Sequence, residues 1–355
     1  MPGGRLLLCL HSHMPYVLSH GKSPHGTDWI MESAVECYLP LLDVLDRLME
    51  QGIAPRWTIN MTPILAEQLV DPAFVAEFEG YCEEKIAFAK SDGARFEETG
   101  ELHMVGLAAM WERWFLRGLT QFRERWDRSI IGGFREMQDR GAVEMITCGA
   151  THGYFPLAGT DESVQAQVKL GVQAYKRHFG RQPRGIWMPE CAYRPGYDWR
   201  SPVEPDGPAW PRKGVEEFLA ENGIEYTFVD SHMIRGGQPL GTYAANFPQL
   251  AEMFARSSKF FTPPEEFRSE YEHYRLPNGV TVFARDPQTT VKVWSGEHGY
   301  PGDPQYLEFH KQLYPGRLRY WRISEDKRDL GKKGHYDAWK AFENLGQHAD
   351  DFVKT

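Results

Sequence analysis

The chain has no apolar run long enough to cross a membrane. Leu6 to Leu10, the longest near its start, is about a third of the ~18 residues a span needs, and His11 ends it at once. The same shortness argues against a signal peptide, whose apolar core is longer. No membrane partner is expected. A surplus of positive charge is also lacking. The sequence carries 40 Lys and Arg against 49 Asp and Glu, a net charge of −9, so nucleic acid is not an expected partner either. Five cysteines are present (Cys9, Cys37, Cys82, Cys148 and Cys191), an odd number at wide spacings with no C-x-x-C pair. That excludes a zinc knuckle or thioredoxin-like site and reads as reduced, mostly buried thiols in the cytoplasm. Internal repeats and low-complexity tracts are absent.

What the 355 residues do have is aromatic rings: 11 Trp, 16 Tyr and 20 Phe, 13% of the chain. Most aromatics fill cores. A surplus of Trp and Tyr also suits binding of flat ring faces, such as those of sugars.

Apolar patterning alternates strands with helices. Strands are expected at 5–10, 56–60, 143–147, 185–188, 224–229 and 280–284. Helices are expected at 32–50, after Asn60-Met-Thr-Pro63, through most of 73–140, and at 162–178 and 213–222. In the long helical stretch Trp111, Trp114, Phe115, Phe122 and Trp126 fall near helical spacing and are expected in the core. This alternation implies a parallel sheet or barrel. Two stretches exceed a minimal barrel. Residues 191–212 form a Pro- and Gly-rich loop of a length that is usually functional, and 231–275 form a second excursion.

Nearly every expected strand runs into polar residues: His11 and His13, Asn60, His152, Glu190, Asp230 and His232, Arg285 and Asp286. In α/β barrels such ends converge on one mouth. Glu190 is the sharpest candidate. It follows Trp187-Met188-Pro189, where proline ends the ladder, so its carboxylate is expected to be held rigidly and partly desolvated, as a nucleophile or general acid/base requires. His11-Ser-His13 has three readings: donors to sugar hydroxyls, two ligands of a metal completed by His152 and Asp230, or histidines satisfied within the fold. Arg285 either binds a carboxylate or orients the nucleophile, or forms a structural salt bridge to Asp286 or Glu190. Trp29, Tyr243 and Trp294 stand among Gly- and Pro-rich segments and suit ring stacking, while Gly302 would let a ligand approach the backbone closely.

Together the motifs His11-Ser-His-Met-Pro15, Cys148-Gly-Ala-Thr-His-Gly153, Trp187-Met-Pro-Glu-Cys-Ala-Tyr193, Arg285-Asp-Pro287 and Trp294-Ser-Gly-Glu-His-Gly-Tyr-Pro-Gly-Asp303 resemble the α-glucan branching enzymes of glycoside hydrolase family 57. The resemblance spans most of the chain. It implies an α/β fold, a distorted (β/α)7 barrel over 1–355 with inserted segments at about 73–140 and 191–275. It also implies a retaining transglycosylase on α-1,4-glucan, with no cofactor and no metal. Glu190 would be the nucleophile. His11, His13, Trp29, His152, Arg285, Trp294, Tyr300, Gly302 and Asp303 would contact substrate, and Tyr243 would sit at the tip of a loop over the cleft. One motif departs from the family. The Phe-Asp-x-Glu-Leu-Phe-Gly-His-Trp-Trp type string that carries the acid/base Asp is not found, and Asp350 and Asp351 are poor substitutes. The family's C-terminal helical domain is expected to be absent too, as in a truncated or split product, with weak or no activity unless a separate C-terminal fragment is supplied. Two other classes stay open: a metal-dependent deacetylase or amidohydrolase, and a non-catalytic glucan-binding protein.

Overall fold

A computed structural model describes residues 5–201, 203–204, 206–234 and 268–355; Tyr243 lies outside the described residues. The chain divides into two compact units. The first comprises residues 1–16, 54–67 and 138–286, and the second 17–53, 68–137 and 287–355.

The first unit is built on one sheet. Its strands are β1 (Cys9–Ser12), β2 (Trp57–Met61), β3 (Val143–Cys148), β4 (Gly185–Trp187), β7 (Tyr226–Val229), β9 (Thr281–Ala284) and β8 (His273–Arg275), in that spatial order. Every pairing is parallel except β8 with β9. The α/β class with a mostly parallel sheet is thus as expected, but among the described residues no ladder closes it into a ring. Leu276 donates its N–H to the Val280 carbonyl at 2.8 Å, in a turn where Gly279 has φ 93°. This tight hairpin folds β8 antiparallel onto β9 and so occupies the outer edge of β9.

The first strand is shifted from the expected 5–10. Leu6 and Leu7 are 73% and 45% exposed, and the ladder starts at Cys9, so His11 lies within β1, opposite Asn60 of β2. Helix α7 (Asp161–Phe179) starts where the Thr160 side chain accepts from the Ser163 N–H and stops at Gly180, φ 71°. With α8 (Val215–Glu221) it buries Val164, Val168, Val172, Val215, Phe218 and Leu219 against Ile186, Val229 and Val282 of the sheet. The approach is close. A Cβ on Gly171 would lie 2.1 Å from the Cys148 carbonyl oxygen, and the Thr147 hydroxyl donates to the Gly171 carbonyl at 2.8 Å. Gly171→Ala must push α7 off β3. A loss of about 1–3 kcal/mol is expected from a chemical-denaturation midpoint; an unchanged midpoint would mean that the strand can yield.

The expected structureless loop at 191–212 contains a small hairpin, β5 (Tyr197–Trp199) paired antiparallel with β6 (Trp210–Arg212). A helix of one turn, α9 (Ser231–Ile234), follows β7.

The second unit is mainly helical. It holds α1 (Thr27–Ser33), which runs through a π-turn into α2 (Leu39–Glu50), the long pair α4 (Pro72–Glu98) and α5 (Leu102–Thr120), then α10 (Pro287–Trp294) and α11 (Ala338–Lys354). The short α3 (Pro63–Leu69) and α6 (Ile130–Asp139) carry the chain across the unit boundaries. Helix α4 opens on Asp71, whose carboxylate accepts from Ala73, with Pro72 in its first turn. Trp111, Phe115, Phe122 and Trp126 are buried as expected. Trp114 is not: at 39% exposure it lies on the outer side of α5, one step off the apolar stripe.

Candidate active site

The site is assembled within the first unit, at the C-terminal ends of its parallel strands. Asn60, fully buried at the end of β2, is its anchor. Its amide nitrogen donates to the carbonyls of Ile146 and Thr147 at 3.2 and 2.7 Å. The amide oxygen is therefore the acceptor for His11 Nδ1, 2.7 Å away. A neutral His11 then carries its proton on Nδ1 and leaves Nε2 bare, able to accept a hydrogen bond. His13 Nδ1 pairs with the Thr62 hydroxyl at 3.3 Å.

His152 is held differently. Its backbone is left-handed, φ 57°, in a loop clamped by Gln167. The Gln167 carbonyl accepts from Ala150 N–H, its side-chain oxygen accepts from Thr151 N–H, and its amide donates to the Thr151 hydroxyl. His152 Nε2 lies 3.3 Å from Glu190 Oε1, and Nδ1 lies 3.2 Å from Cys148 Sγ. A carboxylate only accepts, so Nε2 carries the proton and the Cys148 thiol donates to Nδ1. Burial pushes the Cys148 thiol well above its ordinary range, which keeps that proton on sulfur. His11 and His152 are thus opposite tautomers, one offering an acceptor and the other a donor already aimed at Glu190.

The rings are stacked. His152 is 3.9 Å from His13 and 5.1 Å from His11, and His11 is 4.9 Å from Trp187, all within 24° of parallel. Arg285 closes the far side, its guanidinium 5.9 Å from the Trp187 ring. It donates to Asp230 at 2.9 Å. Asp230, just past the end of the neighbouring β7, thus holds the guanidinium, a partner that the readings of Arg285 did not name.

Glu190 stands in a strained turn. Both Glu190 and Cys191 have positive φ, 57° and 52°, in a turn tied by Cys191 N–H to Met188 O at 2.8 Å and Ala192 N–H to Pro189 O at 3.1 Å. Such geometry costs on the order of 1–3 kcal/mol per residue and clusters at functional sites. One expectation needs correction. The Glu190 side chain is not desolvated: it is 71% exposed, while its partner His152 is 7% exposed. Pro189 and Cys191 are the buried residues of this turn, and they aim the carboxylate outward.

Desolvation lowers His11 and His13 to about 4, with neighbouring imidazoles adding to it and Asn60 opposing it at His11. His152 is lowered by burial too, against the pull of Glu190. All three are neutral at pH 7. A histidine with an unfolded value near 6.5 and a lower folded one takes up its proton more readily when unfolded. Stability is therefore expected to fall as pH drops below about 6.5, and to keep falling toward pH 4. Urea midpoints taken between pH 7 and 4 check this; a flat profile would contradict neutral imidazoles in the folded chain.

Parallel stacked rings direct their nitrogen lone pairs along separate planes, so they do not converge on one ion. Among the described residues no group of three or more His, Cys, Asp or Glu side chains is placed to hold a metal. The metal-hydrolase reading loses its ligand set.

Five further candidates belong to the second unit. Trp29 in α1 is 38% exposed and Trp294, at the end of α10, 73% exposed. Tyr300 donates to Asp351 at 2.6 Å and stacks on His348. Asp303 accepts from Asn344 at 3.0 and 3.1 Å. Gly302 is buried, and a Cβ there would meet the Gly296 carbonyl at 2.0 Å. The space it frees is filled by the protein's own backbone, which corrects the expectation of close ligand approach. The histidine spacing had not revealed Asn60 as the anchor, nor the roles of Cys148, Gln167 and Asp230; a polar side chain at the end of each neighbouring strand was the signal available.

The glycosyl hydrolase family 57 model matches residues 7–331. The chain belongs to glycosyl hydrolase family 57. It is 39% identical over 352 residues to a 1,4-alpha-glucan branching enzyme of Thermococcus kodakarensis, covering 99% of this chain and 48% of that protein. It is 26% identical over 360 residues to a probable 1,4-alpha-glucan branching enzyme of Mycobacterium tuberculosis, covering 99% of this chain and 59% of that one. The chain thus spans about half to three fifths of the length of these relatives. Among solved structures it is similar to a branching enzyme of this family from Pyrococcus horikoshii, with TM-score 0.83, 41% identity, and 99% and 59% of the two chains covered. It is also similar to the α-amylase AmyC of Thermotoga maritima, with TM-score 0.78, 29% identity, and 99% and 62% covered. One architecture therefore serves both transfer and hydrolysis, so function has to be argued from the site. Among the described residues no helix is long and apolar enough to cross a membrane.

Proposed function

We propose that this family member acts on α-1,4-glucan by a retaining transfer, with Glu190 as nucleophile, making α-1,6 branches in glycogen- or starch-type polysaccharide. The observation that carries the proposal is the Glu190 carboxylate, exposed and receiving the Nε2 proton of a buried, neutral His152. That bond orients the carboxylate. The bare His11 Nε2 and the Arg285 guanidinium supply an acceptor and donors for sugar hydroxyls, and Trp187 backs them. Trp29, Trp294 and Tyr243 are the remaining rings we assign to glucan. Tyr300, Gly302 and Asp303 are assigned to shaping the 294–303 segment. Five free cysteines suit a cytoplasmic setting.

In the reaction Glu190 Oε attacks the anomeric carbon while the glycosidic C–O bond breaks, and the leaving oxygen takes the electron pair and a proton. The general acid that gave this proton takes one back from the 6-hydroxyl of a second glucan chain as that oxygen displaces Glu190 from the anomeric carbon, so two inversions restore the α configuration. No acid/base group is assigned within this chain. Asp351 is committed to Tyr300 and Lys292, which hold it below its usual range. An α-maltosyl fluoride donor, whose fluoride leaves without protonation, tests the proposal. The parent chain is expected to release fluoride and extend an acceptor maltooligosaccharide, and Glu190→Gln to do neither. No release from the parent, or equal release from both, would refute it.

A further inference from the structure

The Pro-rich segment between Glu190 and α8 has no task in the reading above, yet it is firmly built. In the β5–β6 hairpin Tyr197 faces Arg212 and Trp199 faces Trp210, so alternation puts these four on one face. The base is clamped. Arg212 donates to Asp161 Oδ1 and to the Ala158 carbonyl, both at 2.8 Å. Arg194 donates to the Lys213 carbonyl at 2.6 Å, and Asp161 Oδ2 accepts from Lys213 N–H at 3.0 Å. Both arginines are buried, and each also lies against a ring, Arg194 at 5.6 Å from Tyr197 and Arg212 at 5.5 Å from Trp199. Above the clamp the rings are open. Trp210 meets Trp199 edge to face at 4.6 Å and is still 42% exposed, and Tyr197 is 43% exposed.

Two buried arginines and a carboxylate thus fix the base of the hairpin on which the rings stand. Rings fixed in advance lose little freedom when a flat partner stacks on them. Each also offers an apolar face to sugar C–H groups and a polar edge to hydroxyls. The hairpin begins at Tyr197, in the connection that leaves the C-terminal end of β4 through Glu190, and the chain's net charge of −9 favours a neutral ligand over an anionic one.

We propose that the hairpin is a glucan subsite, in which Trp210 and Tyr197 stack on glucose units of an α-1,4-glucan chain away from the reacting bond. This rests on the glucan reading of Glu190. A remote subsite helps only chains long enough to reach it. In a Glu190→Gln background, where turnover cannot consume the ligand, Trp210→Ala is expected to raise the calorimetric Kd for maltoheptaose about tenfold. Its Kd for maltotriose should stay within twofold, and Trp210→Phe should keep the parent's maltoheptaose affinity within about threefold. Arginine-clamped folding of the hairpin is checked by equal melting temperatures for the Phe and Ala variants. Unchanged maltoheptaose affinity in both Trp210→Ala and Tyr197→Ala would overturn the subsite, and so would equal weakening of both oligosaccharides. Glucan binding that depends on Trp210, beside a parent chain that releases no fluoride from maltosyl fluoride, would uphold the hairpin while sinking the role of Glu190. A parent that binds neither oligosaccharide would overturn both.

Discussion

Glu190→Gln is expected to abolish glycosyl transfer, lowering the rate by at least ~10³-fold, the scale on which loss of a covalent nucleophile is felt. The substitution is nearly isosteric and the side chain is 71% exposed, so stability should not change. Only the chemistry is removed: a carboxamide accepts a hydrogen bond from His152 as the carboxylate does, but it cannot form a stable bond to the anomeric carbon. With amylose, iodine absorbance and debranched chain ends report the rate. The fluoride donor needs no protonation to leave, so it isolates the role of the nucleophile from that of the general acid. A Gln variant as fast as the parent would place the nucleophile elsewhere.

The second large effect is expected at Asn60, where stability and chemistry meet. One buried amide joins β1, β2 and β3 by accepting from His11 and donating to the carbonyls of Ile146 and Thr147. Asn60→Asp keeps the shape and reverses the donors. A carboxylate oxygen would then face two carbonyl oxygens with no proton between them, at a cost on the order of 3 kcal/mol. The same charge would favour the protonated form of His11 and move its titration upward from about 4. His11 Nε2 would then donate where it now accepts. Denaturant midpoints and an NMR titration of the His11 ring check both halves. A variant as stable as the parent, with His11 still titrating near 4, would show that the Asn60 bridge does not carry the site.

How much of this was legible in the sequence depends on the range of the signal. The strand ends could be read because short apolar runs stop at polar residues, and those polar residues do meet: His11, His152 and Glu190 lie within one cluster. The start of β1 could not be read, since Leu6 and Leu7 have the right composition but no neighbouring strand to bond. The antiparallel edge strand was also beyond reach, because it is set by the turn at Gly279 that folds β8 onto β9. Trp114 was misplaced for a similar reason: helical spacing gives a stripe, and a residue at its margin is decided by packing. The exposure of Glu190 turns on two positive φ angles that no residue type at 190 or 191 announces. Asp230 as the partner of Arg285 follows from β7 lying beside β9, which is a matter of strand order.

The central claim is that Glu190 bonds covalently to a glucose unit. The most direct measurement is mass spectrometry of the chain after incubation with 5-fluoro-α-D-glucopyranosyl fluoride, a donor that forms the glycosyl-enzyme quickly and lets it hydrolyse slowly. The account predicts one added fluoroglucosyl group per chain, located by peptide mapping on the peptide containing Trp187-Met-Pro-Glu-Cys191, and absent from Glu190→Gln. A chain that gains no mass while releasing fluoride, or that carries the label on another carboxylate, would contradict it.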